Sequence, residues 1–262
     1  MKLNDAFQSA PIIDAHVHMN ADHTLDEEFL DVLREWSACA VVSHIGKYTP
    51  YPTPEEIVDC NNGQAAFCRA HPDLLLCLAY INPQHGGQAL DEMRRCVEEL
   101  GMPGVKLWVA RKANHPEVFP VVEQGIKLGI FFLQHAWFKV GGSGEDESTP
   151  SDVAELAARY PEARLLMAHT GGDWEQGIAA IRDCENVAVD ICGTDSEMGM
   201  AELAVQVLGA ERVVFGTDAG KLSARDFVSQ LGKAMGAHVT EDERRLILAG
   251  NIRRLLSESH AP

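Results

Sequence analysis

The chain has 262 residues, 46% of them hydrophobic, 23% charged and 6% aromatic, a globular composition and neither a disordered nor a collagen-like one. Its 39 acidic and 22 basic side chains leave a formal net charge of −17, a field that repels a phosphate backbone and gains nothing at an anionic membrane, so neither nucleic acid nor membrane is an expected partner. No apolar run reaches the ~18 residues that cross a bilayer, and residues 1–11, with one lysine and no hydrophobic block, do not read as a secretory signal.

Short apolar runs alternate with longer amphipathic ones along almost the whole chain. A strand is expected at 11–18, then a helix at 25–37 whose apolar residues Leu25, Phe29, Leu30, Leu33 and Trp36 follow helical spacing. A strand at 38–45 leads to a helix at 54–70, where Thr53 stands at the N-cap, Pro54 at the first helical position and Glu55 and Glu56 in the first turn. The alternation continues with strands at 74–81, 104–109, 130–135, 163–169, 187–192 and 213–216. Helices follow them at 88–100, 116–128, 151–160, 174–183, 197–208 and 224–235. Thr149-Pro150 opens the helix at 151 much as Thr53-Pro54 does. Thr240-Glu241-Asp242-Glu243 is a capping box for an extra C-terminal helix ending near 256. Eight β-then-α units without a composition break predict an α/β fold, a (β/α)8 TIM barrel forming one domain over 1–262. The competing doubly wound sheet calls for a glycine-rich turn after its first strand, and Met19-Asn20-Ala21-Asp22 stands there instead. The seven cysteines are odd in number and include no C-x-x-C. They read as buried free thiols and place the protein in the cytoplasm. Met93, Met102 and Met167 read as core filler.

Chemistry in such a barrel gathers at the carboxyl ends of the strands. The first strand ends Asp14-Ala15-His16-Val17-His18, and residues i and i+2 of a strand share a face, so His16 and His18 point together into the mouth. The fifth ends at His135, the sixth at His169 and the eighth at Thr217-Asp218. Several imidazoles and a carboxylate are costly to desolvate together, and a divalent cation resolves that conflict. Zinc accepts this donor set and leaves a position for water; manganese, magnesium and iron are the alternatives.

The ordered set of His-x-His on the first strand, His on the fifth and sixth and Asp on the eighth resembles the amidohydrolase superfamily, and within it the amidohydrolase-2 group of hydrolases, lactonases, hydratases and decarboxylases. Phe215-Gly216-Thr217-Asp218 and the closing Gly250-Asn251-Ile252-Arg253-Arg254-Leu255 belong to the resemblance, which runs from Ile12 to Leu256. It implies that His16, His18 and His135 ligate the metal, that Asp218 ligates it or serves beside it as general base, and that His169 is a further ligand or polarises the substrate. Lys106 occupies the place where binuclear relatives carry a carboxylated lysine. Mononuclear relatives keep it unmodified in a G-x-K-x-H-P context, whereas Trp108-Val109 follow here; an unmodified, substrate-facing Lys106 is expected.

Trp108, Trp137 and Trp174 sit near strand ends and are candidates for an aromatic pocket. Lys47, Lys106, Arg111, Lys112, Lys139 and Lys221 are candidates for a cationic rim, which against the overall negative charge suits a small acidic substrate. Lys106, Trp108, Arg111 and Trp137 are the expected substrate contacts. The run 141–147, glycine-rich and then acidic, reads as a lid or a passive loop, and Gly171-Gly172 as amides that hold an anion. The first functional reading is a metal-dependent hydrolase acting through a metal-activated water, with Asp218 and His169 as catalytic groups. The alternative is a decarboxylase or hydratase on the same site. A nuclease is disfavoured by the acidic surface, and a barrel without turnover is the non-enzymatic reading. The expected partner is a small molecule, with a homodimer as the expected association.

Overall fold

Runs of apolar residues buried on both faces build the sheet of this computed structural model, which describes residues 3–46, 51–193, 199–220 and 223–257. The strands are β1 (Ile12–His18), β2 (Ala38–Ser43), β3 (Leu75–Tyr80), β4 (Gly104–Leu107), β5 (Phe131–Gln134), β6 (Arg164–Met167), β7 (Val187–Asp190) and β8 (Val213–Val214). They lie side by side in chain order, each parallel to the next. The segment after β8 returns to β1: Ala15 donates its amide to Phe215, Asp218 to His16 and His18 to Ala219. The result is the (β/α)8 barrel read from the sequence.

The helices are α1 (Asp5–Ser9), α2 (Glu27–Glu35), α3 (Pro54–Ala70), α4 (Gly87–Glu98), α5 (Phe119–Leu128), α6 (Pro150–Arg159), α7 (Trp174–Ile181), α8 (Met200–Leu208), α9 (Ser223–Gly236), α10 (Glu241–Arg245) and α11 (Asn251–Ser257), the last two joined by a π turn at Leu246–Gly250. Thr53, Thr149 and Thr240 each close a reciprocal capping box, with Glu56, Asp152 and Glu243 respectively. That satisfies amides which the first helical turn leaves without intrahelical partners. The helix expected from 197 begins at Met200, and residue 197 itself lies outside the described residues. Two elements depart from expectation for local reasons. The five-residue α1, capped by the Asn4 side chain, is too short to show a helical period. Residues 115–118 form turns rather than the start of α5, with Val118 donating to His115.

Two apolar layers result. The larger lies between the strands and the surrounding helices; the smaller fills the barrel with Ile13, Ala15, Val41, Leu133, Leu166 and Val214 among others. Phe7 of α1 and Ile252 and Leu256 of α11 belong to the inner layer, and Arg253 fixes the two helices together through the carbonyls of Phe7 and Ala10. These helices close the amino-terminal end of the barrel and leave the carboxyl end open for a site. The seven cysteines are free thiols, six of them buried, and Met93, Met102 and Met167 are buried in the outer layer. Among the described residues no helix is long and apolar enough to cross a membrane.

Candidate active site

Strand alternation sends His16 and His18 to the same end of the barrel, although the β1–β2 register slips between Asp14 and Val17. Their Nε2 atoms lie 3.2 Å apart. Asp218 follows β8 on left-handed backbone, φ 56°. Its Oδ1 lies 3.1 Å from His18 Nε2 and 3.6 Å from His16 Nε2. One donor atom from each of the three residues therefore falls within a 4.8 Å set.

The far nitrogens of both imidazoles are held by oxygen. His16 Nδ1 is 3.0 Å from Asp190 Oδ2, and His18 Nδ1 is 3.2 Å from the Ser43 carbonyl. Oxygen on Nδ1 fixes the tautomer and turns Nε2 to the centre, the arrangement that metal-bound histidines show. Burial, with Lys106 as a second cause, lowers the His16 pKa to about 4. Burial alone raises the Asp218 carboxyl, but His169, His18 and His16 outweigh it and hold it well below its ordinary value. A neutral His16 beside an ionised Asp218 is the state a divalent cation requires of these two donors, so the donor set fits such an ion.

Lys106, wholly buried on β4, places Nζ 2.8 Å from His16 Nε2. It lies inside the barrel under the imidazole, not in the aromatic cleft described below. His169 follows β6 on a left-handed turn, φ 61°, with Thr170 at 45°. The His169 amide donates to Asp190 Oδ1 over 2.7 Å. Its Nδ1 is 3.9 Å from Asp218 Oδ2, and burial lowers its pKa well below the ordinary value. His135 lies on the other side of His169: Nδ1 is 3.2 Å from His169 Nε2, and Nε2 is 3.1 Å from Glu147 Oε1. Glu147 in turn accepts from Lys139 over 2.7 and 2.9 Å. His16, His18 and Asp218 thus come together, His169 stands next to them, and His135 reaches them through His169.

Beside His135 opens a cleft of about 530 Å³ lined by Trp108, Trp137, Tyr51, Lys139 and Asp146. The His135 and Trp137 rings stack at 6.5 Å and 22°, and Trp137 also lies 4.8 Å from the His169 ring. Gly172 makes this possible: at φ +83°, a Cβ there would come within 2.6 Å of the Trp137 ring. Trp174 lines a neighbouring cavity instead. Arg111 pairs with Glu117 and Asp146, so Asp146 faces the cleft and Arg111 stands behind it. The Gly172 amide donates to the His169 carbonyl and is committed to the turn rather than to an anion. Loop 141–147 is tied down by Ser143 on the Trp137 carbonyl and by the Gly144 amide on Glu147. Of the candidate rim, Lys106 is buried and Arg111 and Lys139 are paired with acids, while Lys47 and Lys221 lie outside the described residues.

Sequence reasoning assigned no role to Asp14, Glu147, Asp190 or Cys192. Asp14, raised to about 8 by burial, accepts from the amides of His16 and Thr217 and from the Thr217 hydroxyl. Asp190 and Cys192 have the same i, i+2 spacing as His16 and His18, and that was the available signal.

Residues 13–257 match the family model described as Amidohydrolase. The 2-amino-3-carboxymuconate-6-semialdehyde decarboxylase of Dictyostelium discoideum is 23% identical over 206 residues, 63% of this chain and 57% of that protein, so the match spans little more than half of the relative's length. The 2,6-dihydroxybenzoate decarboxylase from Rhizobium shares the fold at a TM-score of 0.75 and 15% identity, over 94% of this chain and 98% of that one. A 5-carboxyvanillate decarboxylase from Novosphingobium aromaticivorans, solved with manganese and 4-hydroxy-3-methoxy-5-nitrobenzoic acid, does so at 0.76 and 12%, over 95% and 97%.

Proposed function

The chain belongs to the amidohydrolase family, and from that premise we propose that it is a metal-dependent decarboxylase of a small aromatic or enol carboxylate. The observation that carries this reading is the convergence of His16 Nε2, His18 Nε2 and an Asp218 oxygen one imidazole away from a cleft walled by two tryptophans. The three relatives described above are decarboxylases by name, and hydrolysis, the first expectation from the sequence, has no counterpart among them.

His16, His18 and Asp218 would hold the divalent cation, with His135 as the further donor the family resemblance implies. Imidazole and carboxylate accept manganese as well as zinc. When bound, the cation attracts a carboxylate with its neighbouring oxygen and offsets negative charge that develops on them. The protein's own residues supply the rest. Trp108 and Trp137 bury the flat face of the substrate and exclude water from it. Lys139, exchanging Glu147 for substrate, offers a cation to an acidic group at the outer end of the cleft. The proton that the reaction consumes comes from solvent, and His169 and Asp218, 3.9 Å apart, pass it on to the substrate. That proton adds to the carbon bearing the carboxylate, the bond to the carboxyl carbon breaks, its electron pair stays with the ring, and CO2 leaves.

The test is to strip the protein with chelator, reload it with Mn²⁺ or Zn²⁺, and screen dihydroxybenzoates, methoxylated hydroxybenzoates and enol carboxylates while recording CO2. Metal-dependent CO2 release with a product one carboxyl group shorter is the expected result. Acid released from lactones or amides, without CO2 from any carboxylate, would return the reading to hydrolysis.

A further inference from the structure

Behind His16, on the side turned from His18, stand Asp190 and Cys192, two donors that the proposed reaction does not use. Cys192 Sγ lies 3.2 Å from His16 Nδ1, 3.4 Å from His169 Nδ1 and 2.9 Å from Asp190 Oδ1, and Asp190 Oδ2 lies 3.0 Å from His16 Nδ1. One donor atom from each of the four residues falls within 4.8 Å of all the others, and none of the residues is more than 4% exposed. The sequence builds the group simply. Asp190 ends β7, and Cys192 two residues on returns to the same face. The left-handed turn at His169 brings its Nδ1 back toward them.

The spacing is close to that of a coordination shell. Bonds of about 2.3 Å to sulfur and 2.0–2.1 Å to nitrogen, arranged tetrahedrally, separate ligand atoms by roughly 3.3–3.6 Å. The 3.4 Å to His169 Nδ1 lies inside that range, and the other distances, 2.9–3.2 Å, fall short of it by a few tenths of an ångström. A thiol among imidazoles selects thiophilic d¹⁰ ions, whereas carboxylate-rich sites suit manganese and magnesium. We propose that His16, His169, Asp190 and Cys192 form a second metal site, selective for a strongly thiophilic cation such as Cd²⁺, that competes with the first through His16.

The competition follows from the proton count. With Nδ1–H donating to Asp190, His16 offers its Nε2 lone pair to the His18–Asp218 side. A cation behind it takes Nδ1, so the single ring proton moves to Nε2. The Cys192 thiol proton leaves to solvent, and His169 ligates through Nδ1 with its own proton on Nε2. His16 then has no lone pair for the front. Only this exclusion rests on the proposed function; uptake at the rear site does not.

Cadmium alone is the probe. His18→Ala removes a front donor and leaves the rear four intact. The metal-stripped His18→Ala protein is expected to take up one Cd²⁺ per chain by dialysis and metal analysis, with an ultraviolet thiolate-to-cadmium band. His18→Ala/Cys192→Ser and His18→Ala/Cys192→Ala lose both, and the difference separates Cys192 from the other six thiols. Equal uptake and an equal band in all three proteins, each with wild-type circular dichroism, would overturn the site. In the wild-type chain loaded with Mn²⁺, cadmium expels manganese, and in Cys192→Ser this takes at least about tenfold more cadmium. Retention of both metals in the wild type would overturn the sharing of His16 while leaving the uptake result to stand on its own.

Discussion

Lys106 carries its charge wholly inside the barrel, and removing that charge has a calculable consequence. Burial draws its pKa from 10.5 down to about 8, against the attraction of Asp218 and Asp190. In the unfolded chain the lysine keeps its ordinary value. Below about pH 8 both states hold the proton, and the folded protein bears the full cost of enclosing an ammonium group. Between about 8 and 10.5 the unfolded chain holds a proton that the folded chain has released, so stability rises with pH across that window. The gap corresponds to about 3 kcal/mol. Lys106→Met keeps the length of the side chain and removes the charge. At pH 7 the chelator-treated variant is expected to be more stable than the chelator-treated wild type by about 3 kcal/mol, an advantage that shrinks toward zero at pH 10.5. Urea unfolding midpoints at matched pH measure this, and tyrosine and cysteine ionisation cancel in the difference. A difference independent of pH, or a methionine variant less stable at pH 7, would refute the reasoning.

Asp218→Asn keeps the fold by circular dichroism and lowers CO2 release by roughly 10²–10⁴-fold, as expected for loss of a proton-transferring group; wild-type turnover would reject its assignment. Trp137→Ala is expected to raise KM roughly tenfold for an aromatic carboxylate, about 1.4 kcal/mol of lost ring contact, and to change KM little for a non-aromatic enol carboxylate. Equal effects on both would remove the aromatic wall from the argument. Burial favours a raised Glu147 pKa, but hydrogen bonds from His135 and Lys139 prevail and hold it at about 2, below 4.5. Its stabilising contribution is therefore complete above pH 4.5 and is lost as pH falls toward 2. Glu147→Gln should flatten that part of the acid unfolding curve, and an unchanged curve would show that the pair with His135 and Lys139 contributes nothing in solution.

The barrel was legible because eight apolar runs, three threonine caps and the spacing between them are local signals. The pair His16 and His18 was legible for the same reason, since strand periodicity alone puts both on one face. The direction of His135 was not. Strand position fixes where its Cα lies, but its ring follows Glu147, twelve residues further on, which takes Nε2. The expected strand ends at 169 and 216 overshoot because ladder pairing stops at Met167 and Val214. Beyond them His169, Thr170 and Asp218 adopt positive φ, a conformation that His and Asp enter more readily than most side chains but that no spacing in the sequence announces. Glu147 stood in a run read as a lid or a passive loop, and Asp190 fell within the strand expected at 187–192 without being singled out.

Those left-handed residues show how the mouth is held. Non-glycine residues in that conformation cost on the order of 1–3 kcal/mol each and persist only where their surroundings over-determine them. Here the carboxyl group of an aspartate on the adjacent strand performs that task on each side. Asp14 on β1 takes the amide and hydroxyl of Thr217 and so fixes the turn that presents Asp218. Asp190 on β7 takes the His169 amide, while its own carbonyl accepts the Thr170 hydroxyl. Each buried acid also reaches His16: Asp14 on the same strand accepts from the His16 amide, and Asp190, from β7, binds the His16 ring. His16 is the point where both supports meet, which explains why one imidazole can face His18 and Asp218 through Nε2 and a thiol through Nδ1.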